Sequence, residues 1–248
     1  MRRGDLRGRP SGRSPGGLSH CLGIATSRFE LPLPDGCSRA GNSHRTSGCD
    51  RCGQPSSLND RLSAVPAVSV QVPGLTGVTA IAAGWLAGYA LRRDGSVWAW
   101  GNGGPLGDGD TDSSSVPVRV TGLTDVTVIA GGLGAAYALR GDGTVWAWGM
   151  GGAGRLGNGS TESSSVPVQV SGLTDATAIA AGGGYYVTLL GGAAAYALRT
   201  DGTVMAWGTS QQLGNGATAN SSVPVPVSGL AGVTVIAAGP FNGYAVTG

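Results

Sequence analysis

The chain has 248 residues, of which 12% are charged and 47 are glycine, and its formal net charge is +2. No run of about 18 apolar residues occurs, so no membrane-spanning helix is predicted, and no apolar segment of about 7 to 15 residues follows Met1, so no secretory signal is predicted. Every basic side chain is arginine, which we interpret as the codon bias of a GC-rich bacterial genome.

Residues 1–64 differ in composition from the remainder of the chain. They hold ten arginines, five acidic residues, all four cysteines and both histidines, whereas residues 65–248 hold six arginines and nine acidic residues. This composition predicts either a disordered leader or a mis-assigned start. Cys37, His44, Cys49 and Cys52 are an alternative zinc site, but a second CxxC at finger spacing is missing. The scattered arginines, with Phe29 as the one aromatic residue, do not predict nucleic-acid binding.

From residue 65 onward a unit of about 50 residues repeats. Each unit opens with a Gly-Leu segment whose β-branched run predicts a first strand. The four copies are 48, 50 and 57 residues apart and begin at Gly74, Gly122, Gly172 and Gly229. A second strand is predicted at the YALR sequences that begin at Tyr89, Tyr137 and Tyr196.

An Asp-Gly pair follows each second strand, at Asp94, Asp142 and Asp201. This pair between apolar runs predicts an antiparallel hairpin with a type I′ turn. The third strand is the VWAWG or VMAWG run after the turn. The fourth is predicted where valine and proline alternate, and because proline has no N–H donor this strand should lie at an outer edge. Its copies begin at Val116, Val166 and Val223.

Four short strands in each repeat of this length describe one blade of a β-propeller. The predicted fold is therefore an all-β partial propeller over residues 65–248, with three complete units and part of a fourth. Because an unclosed ring leaves two terminal faces exposed, we expect self-association, a missing partner segment or poor solubility.

The order GLTxVTxIAAG, YALR, DGTVWAWG, RLGNG and SSVPVQV resembles the repeat of the regulator of chromosome condensation family. The resemblance implies a propeller that normally has seven blades. The repeat is similar also to that of the bacterial branch of the family, which includes the β-lactamase inhibitor protein II. Ala87, Ala135 and Asn242 stand where that family usually has histidine, so guanine nucleotide exchange is not carried over. The inhibitor-like branch implies protein binding through loops at one end of the ring.

The turns after the first strands are the candidate protein-binding loops. They carry Trp85, Leu86, Leu133 and Phe241. The third unit has about nine extra residues, an insertion at 183–193. Its adjacent tyrosines, Tyr185 and Tyr186, are further candidates, because loop aromatics supply contact area at little entropic cost. The alternative is a partial duplication of the strand, since GGGYYVTLL resembles GGAAAYALR.

Two other motifs carry possible chemistry. Asp108, Asp110 and Asp112 alternate as calcium ligands do, but the glycine and glutamate of an EF-hand loop are missing, which favours a solvated loop. The sequence GMGGAG from Gly149 satisfies GxGxxG, but no helix is predicted to open at its last glycine, which favours a propeller loop.

We therefore assign no catalytic, cofactor-binding or metal-binding residue and predict a noncatalytic protein-binding module of unknown partner. One alternative is a secreted or cell-surface structural display array. The other is an enzyme that uses the loop carboxylates at Asp108, Asp110 and Asp112.

Overall fold

The computed structural model describes residues 71–102, 106–184 and 192–248, all of which lie within the compact unit Gly53–Gly248. The predictions for residues 1–64, including the leader and the zinc alternative at Cys37, His44, Cys49 and Cys52, lie outside the described residues. In the described ranges, no helix is long and apolar enough to cross a membrane.

Short strands dominate the described ranges. In chain order they are β1 Val78–Ala83, β2 Ala87–Arg92, β3 Val97–Gly101, β4 Ser114–Arg119, β5 Val126–Gly131, β6 Ala135–Arg140, β7 Val145–Gly149, β8 Ser164–Gln169, β9 Ala176–Ala181, β10 Ala194–Arg199, β11 Val204–Gly208, β12 Ser221–Pro226, β13 Val233–Ala238 and β14 Gly243–Thr247. The helical segments are the 3₁₀ turns Gly152–Gly154 and Ser210–Gln212.

The strands form antiparallel sheets in strict chain order. Strands β1 to β4, β5 to β8 and β9 to β12 make three four-stranded sheets, and β13 pairs with β14 in a two-stranded sheet. The predicted partial propeller of three complete blades and part of a fourth is therefore confirmed. Strand β5 packs against β1 and β9, and β13 packs against β9, so the first strands of successive blades gather on one side. The fourth strands lie farthest from them.

The hairpins at the Asp-Gly pairs are confirmed, but the type I′ prediction was wrong. Arg92 N–H donates to the Ser96 carbonyl at 2.9 Å, and Gly95, not Asp94, has a positive φ, of 75°. The turn is thus a three-residue loop with glycine in the left-handed position. The Asp94 carboxylate accepts bonds from the Ser96 hydroxyl at 2.6 Å and the Ser96 N–H at 3.1 Å, and these bonds lower the pKa of Asp94.

The proline-bearing strands are outer edges, as predicted. Strands β4, β8 and β12 each pair with a single neighbour in their sheets. Their first valines are exposed to solvent, at Val116, Val166 and Val223.

Consecutive blades are joined by the second tryptophan of the third strand. Trp207 is fully buried in one cluster with Leu156 and Val170 of the preceding blade. Its indole N–H donates to the Arg155 carbonyl at 2.9 Å, and the Tyr137 hydroxyl donates to the same carbonyl at 2.8 Å. Burial raises the pKa of Tyr137, so this phenol remains a protonated donor. A single carbonyl thereby links two adjacent blades.

The first and last sheets expose apolar side chains. Ile81 on β1 is 79% exposed, and Tyr244 and Val246 on β14 are 60% and 57% exposed. Trp100 has the same place in the first blade that Trp148 has in the second, but it is only partly buried, whereas Trp148 is fully buried. Apolar side chains at the two ends of the blade stack are thus more exposed to solvent than those in its interior.

Candidate protein-binding surface

The turns that follow the innermost strands of all four sheets converge at one end of the blade stack. They line a depression with a volume of about 240 Å³, whose wall includes Trp85, Gly132, Gly182 and Pro240. Neighbouring turns are joined directly, since the Trp85 N–H donates to the Gly132 carbonyl at 3.2 Å. We call this end of the stack, with the turns 84–86, 132–134 and 239–242 and the described parts of the insertion, the loop end.

Glycine sets the close approach of these turns. A Cβ on Gly131 would lie 2.5 Å from the Ala83 carbonyl oxygen, and a Cβ on Gly182 would overlap the Gly239 carbonyl oxygen. Side chains are therefore excluded at Gly131 and Gly182, so backbone groups form the floor of the depression there. Every copy of the Gly-Leu segment ends in glycine, but only the packing of neighbouring turns reveals this role.

Three of the predicted contact residues are exposed at the loop end. Trp85 is 47% exposed, Leu86 is 40% exposed and Phe241 is 38% exposed. Trp85 and Leu86 belong to the turn of the first blade, whereas Phe241 belongs to the turn between β13 and β14. Large apolar side chains exposed on turns of a rigid scaffold are the usual anchors of a protein interface.

Leu133 differs from this expectation because its side chain is buried, with 6% exposure. Gly183 lies against it so closely that a Cβ there would come within 2.5 Å of the Leu133 Cβ. The guanidinium of Arg155 also donates to the Leu133 carbonyl at 3.4 Å. Leu133 thus supports the start of the insertion rather than contacting solvent.

Tyr185 and Tyr186 lie outside the described residues, but both ends of the insertion are described. The Gly184 N–H donates to the Gly192 carbonyl at 3.3 Å, which closes the base of the insertion. The Phe241 ring lies directly over Gly184, where a Cβ would overlap it. The base of the insertion therefore adjoins the turn of the fourth sheet.

The loops between third and fourth strands lie at the same end of the stack, and the loop of the first blade carries Asp108, Asp110 and Asp112. The Asp108 carboxylate accepts the Asp110 N–H at 3.1 Å, and the Asp110 carboxylate accepts the Thr111 N–H at 2.7 Å. These bonds close tight local turns. Among the described residues, no group of three or more histidine, cysteine or acidic side chains is arranged to hold a metal ion.

The GxGxxG sequence forms a loop between β7 and β8, as predicted. It contains the 3₁₀ turn Gly152–Gly154, in which Ala153 has a positive φ of 61°. The loop continues through Arg155 and Leu156, which contact Trp207 of the next blade.

The comparisons with known proteins agree with this architecture. The family model for the regulator of chromosome condensation (RCC1) repeat matches residues 94–139, 142–189 and 201–246, and a second RCC1 repeat model matches residues 78–104. Each of the three longer matches begins at an Asp-Gly hairpin, and the first and third end in the second strand of the next blade, whereas the second ends within the insertion. No curated protein matched the sequence.

Solved structures with similar folds include Prp20p from Saccharomyces cerevisiae, described with its binding properties to Gsp1p and histones. It is 20% identical with a TM-score of 0.57, covering 67% of this chain and 42% of that one. Yeast RCC1 (Prp20) bound by Kap60 is 22% identical with a TM-score of 0.56, covering 71% and 43%. Human WBSCR16 is 23% identical with a TM-score of 0.57, covering 69% and 45%.

The chain thus spans less than half the length of these solved structures. The repeat models nevertheless match more than half of its residues, in phase with the strands of every described sheet. The chain belongs to the regulator of chromosome condensation (RCC1) repeat family.

Proposed function

We propose that the chain is a noncatalytic protein-binding module and that the loop end is its contact surface. Trp85, Leu86 and Phe241 would form the apolar anchors, and the insertion that carries Tyr185 and Tyr186 would extend the surface. The proposal assigns no catalytic residue, cofactor or metal.

The observation that carries the proposal is the exposure of three large apolar side chains on turns whose backbone is fixed. The Trp85 N–H is bonded to the neighbouring blade, and Phe241 packs over Gly184. A fixed backbone lowers the entropy that such side chains lose when a partner covers them. The backbone floor between the turns adds carbonyl oxygens that can accept hydrogen bonds from the same partner.

Two further observations support this use of the fold. The similar structure of Prp20p was described with its binding to Gsp1p and histones, and that of yeast RCC1 was solved with Kap60. Within this chain, the Asp108 carboxylate is engaged by the Asp110 N–H, which favours a turn-stabilising role for that loop over acid-base chemistry. Guanine nucleotide exchange is not part of the proposal.

The test is affinity capture from the native host, followed by crosslinking to map the contact. One variant combines Trp85→Ser, Leu86→Ser and Phe241→Ser at the loop end. The matched control carries the same change at three exposed valines of the outer edges, Val116→Ser, Val166→Ser and Val223→Ser. Circular dichroism verifies that both variants fold.

We expect the captured partner and its crosslinks to disappear in the loop-end variant and to persist in the edge control. Loss of an anchor cluster of this kind should weaken binding by about 30-fold or more. If the folded loop-end variant retains the same partner with the same crosslinks, the contact surface lies elsewhere and the proposal is wrong.

A further inference from the structure

The four turns around the depression at the loop end share one backbone arrangement. Each turn has a glycine that lines the depression, at Gly84, Gly132, Gly182 and Gly239. The N–H groups of these glycines donate within their own sheets, at 2.8 to 3.0 Å, to the carbonyls of Ala87, Ala135, Ala194 and Asn242. The backbone donors of the four glycines are therefore already engaged.

The carbonyl oxygens of these glycines lie against the preceding turn. The Gly132 oxygen is 3.1 Å from the Cβ position of Gly84, and the Gly182 oxygen is 3.3 Å from that of Gly132. The Gly239 oxygen lies still closer to the Cβ position of Gly182. Although the Gly132 carbonyl accepts the Trp85 N–H, a carbonyl oxygen has two lone pairs. The floor of the depression thus offers hydrogen-bond acceptors, which suit a ligand group that is rich in donors.

An indole ring forms part of the wall of the depression. Trp85 lines it and is 47% exposed. The face of an indole attracts a cation through the quadrupole of the ring. A guanidinium group carries both a positive charge and five N–H donors. The floor and the wall therefore favour the same ligand group.

The charges around the depression are mostly negative. Within the described ranges, the loops between third and fourth strands carry one arginine, Arg155, and four acidic residues, Asp108, Asp110, Asp112 and Glu162. The ion pairs of the described residues lie at the opposite end of the blades, where they join Arg92 to Asp94, Arg140 to Asp142, and Arg199 to Asp175 and Asp201. The acidic groups of the loop end belong to none of these pairs, so their field favours a basic partner.

The acidic loop of the first blade is tied to the turn that carries Trp85. The Asn102 N–H donates to the Leu86 carbonyl at 2.9 Å, and the Ser113 hydroxyl donates to the Asn102 side-chain oxygen at 2.8 Å. Asp112, the neighbour of Ser113, is exposed to solvent. A negative charge therefore lies beside the apolar anchors.

We propose that the depression binds an arginine side chain from a basic segment of the partner protein. The guanidinium would donate to the carbonyl oxygens of the floor and place one face against Trp85. Apolar residues beside the arginine would cover Leu86 and Phe241, and Asp112 would attract further basic residues of the segment. This inference rests on the proposed function of the loop end and adds the chemistry of the partner.

The test begins with selection of a displayed library of random dodecapeptides on the full chain. We expect the enriched peptides to contain an arginine between apolar residues. A synthetic copy of one enriched peptide is then titrated into the chain by calorimetry, beside a copy with citrulline in place of its arginine. Citrulline keeps the shape of the side chain and removes its charge, so this peptide should bind about 10-fold more weakly.

Two variants of the chain test the surroundings of the depression. Asp112→Asn should weaken binding of the arginine peptide about 3-fold at low salt. Asp125→Asn is the matched control and should leave binding unchanged, since Asp125 is exposed at the opposite end and asparagine tolerates its positive φ of 58°. Trp85→Leu should weaken the arginine peptide more than the citrulline peptide, because only the cation is attracted to the indole face.

The outcomes separate this inference from the proposed function. Enriched peptides that are neutral or acidic, or equal affinities of the arginine and citrulline peptides, would overturn the inference and leave the loop end as a binding surface. A library that yields no saturable binder would also overturn it. If the enriched peptides bind the variant Trp85→Ser, Leu86→Ser, Phe241→Ser as well as they bind the unaltered chain, the proposed function is wrong too.

Discussion

Trp207→Ala should be among the most destabilising substitutions in this chain, and Trp100→Ala provides its matched control. Both residues are the second tryptophan of a third strand, but Trp207 is fully buried between blades and Trp100 is partly exposed. Removing a buried tryptophan side chain costs about 3–5 kcal/mol, through lost transfer free energy and the closed cavity that remains. At Trp100 the site is open to solvent, so we expect about 1–2 kcal/mol.

Trp207→Phe removes the indole N–H and only part of the buried ring, so it should cost less than Trp207→Ala. The Arg155 carbonyl keeps its bond from the Tyr137 hydroxyl, so losing the indole N–H leaves no unsatisfied acceptor. The loss from that bond alone should then be about 1 kcal/mol. Most of the cost of Trp207→Ala should therefore come from packing.

Urea unfolding followed by far-ultraviolet circular dichroism measures these costs without depending on tryptophan fluorescence. Because a repeat stack is held together by nearest-neighbour interfaces, Trp207→Ala should also broaden or split the transition, as the second and third blades uncouple. Equal free energies of unfolding for Trp207→Ala and Trp100→Ala would refute the interpretation of the indole as the link between blades.

Two further predictions concern the glycines and the hairpins. Gly182→Ala should lower the free energy of unfolding by about 1–3 kcal/mol in the same urea assay, because its Cβ would overlap the Gly239 carbonyl oxygen. Gly152→Ala is the control and should have little effect, since the space around Gly152 is open. Hydrogen bonds from the hydroxyl and N–H of Thr144 lower the pKa of Asp142 below its ordinary 3.8. The ionised carboxylate therefore stabilises the folded chain above pH 3.8, and this contribution is lost as the pH falls toward the lower pKa of the folded state. Thermal melts between about pH 6 and pH 3 should thus decline less for Asp142→Asn than for the unaltered chain, and an identical decline would contradict this assignment.

The strand order was predictable because each signal recurs in the same order in every unit. Asp-Gly at Asp94 and Asp142 located the hairpins, and proline after Val116 located an edge strand. The turn type was not predictable from these pairs, since Asp-Gly is compatible both with a type I′ turn and with the observed three-residue loop. The distinction depends on the residue that takes the positive φ, which is Gly95 alone of its pair.

The candidate site was less predictable, because its features depend on contacts between units. Leu133 and Trp85 occupy similar turns, yet Leu133 is buried because Gly183 of the insertion lies over it. That insertion occurs in one unit only, so no repeat comparison could reveal the contact. The Leu-Gly pair at Leu156 and Gly157 recurs in the sequence, but only tertiary packing shows that the indole lying over it, that of Trp207, comes from the following blade.

The chain-order pairing of every sheet also bears on folding. Each described strand pairs with one that directly precedes or follows it, so each of the three four-stranded sheets forms from one continuous stretch of chain. Such local topology lowers the entropy of loop closure and favours fast folding that propagates from one unit to the next. The second blade can form the Tyr137 bond to the Arg155 carbonyl by itself, so this acceptor can be positioned within one blade for the Trp207 indole of the next.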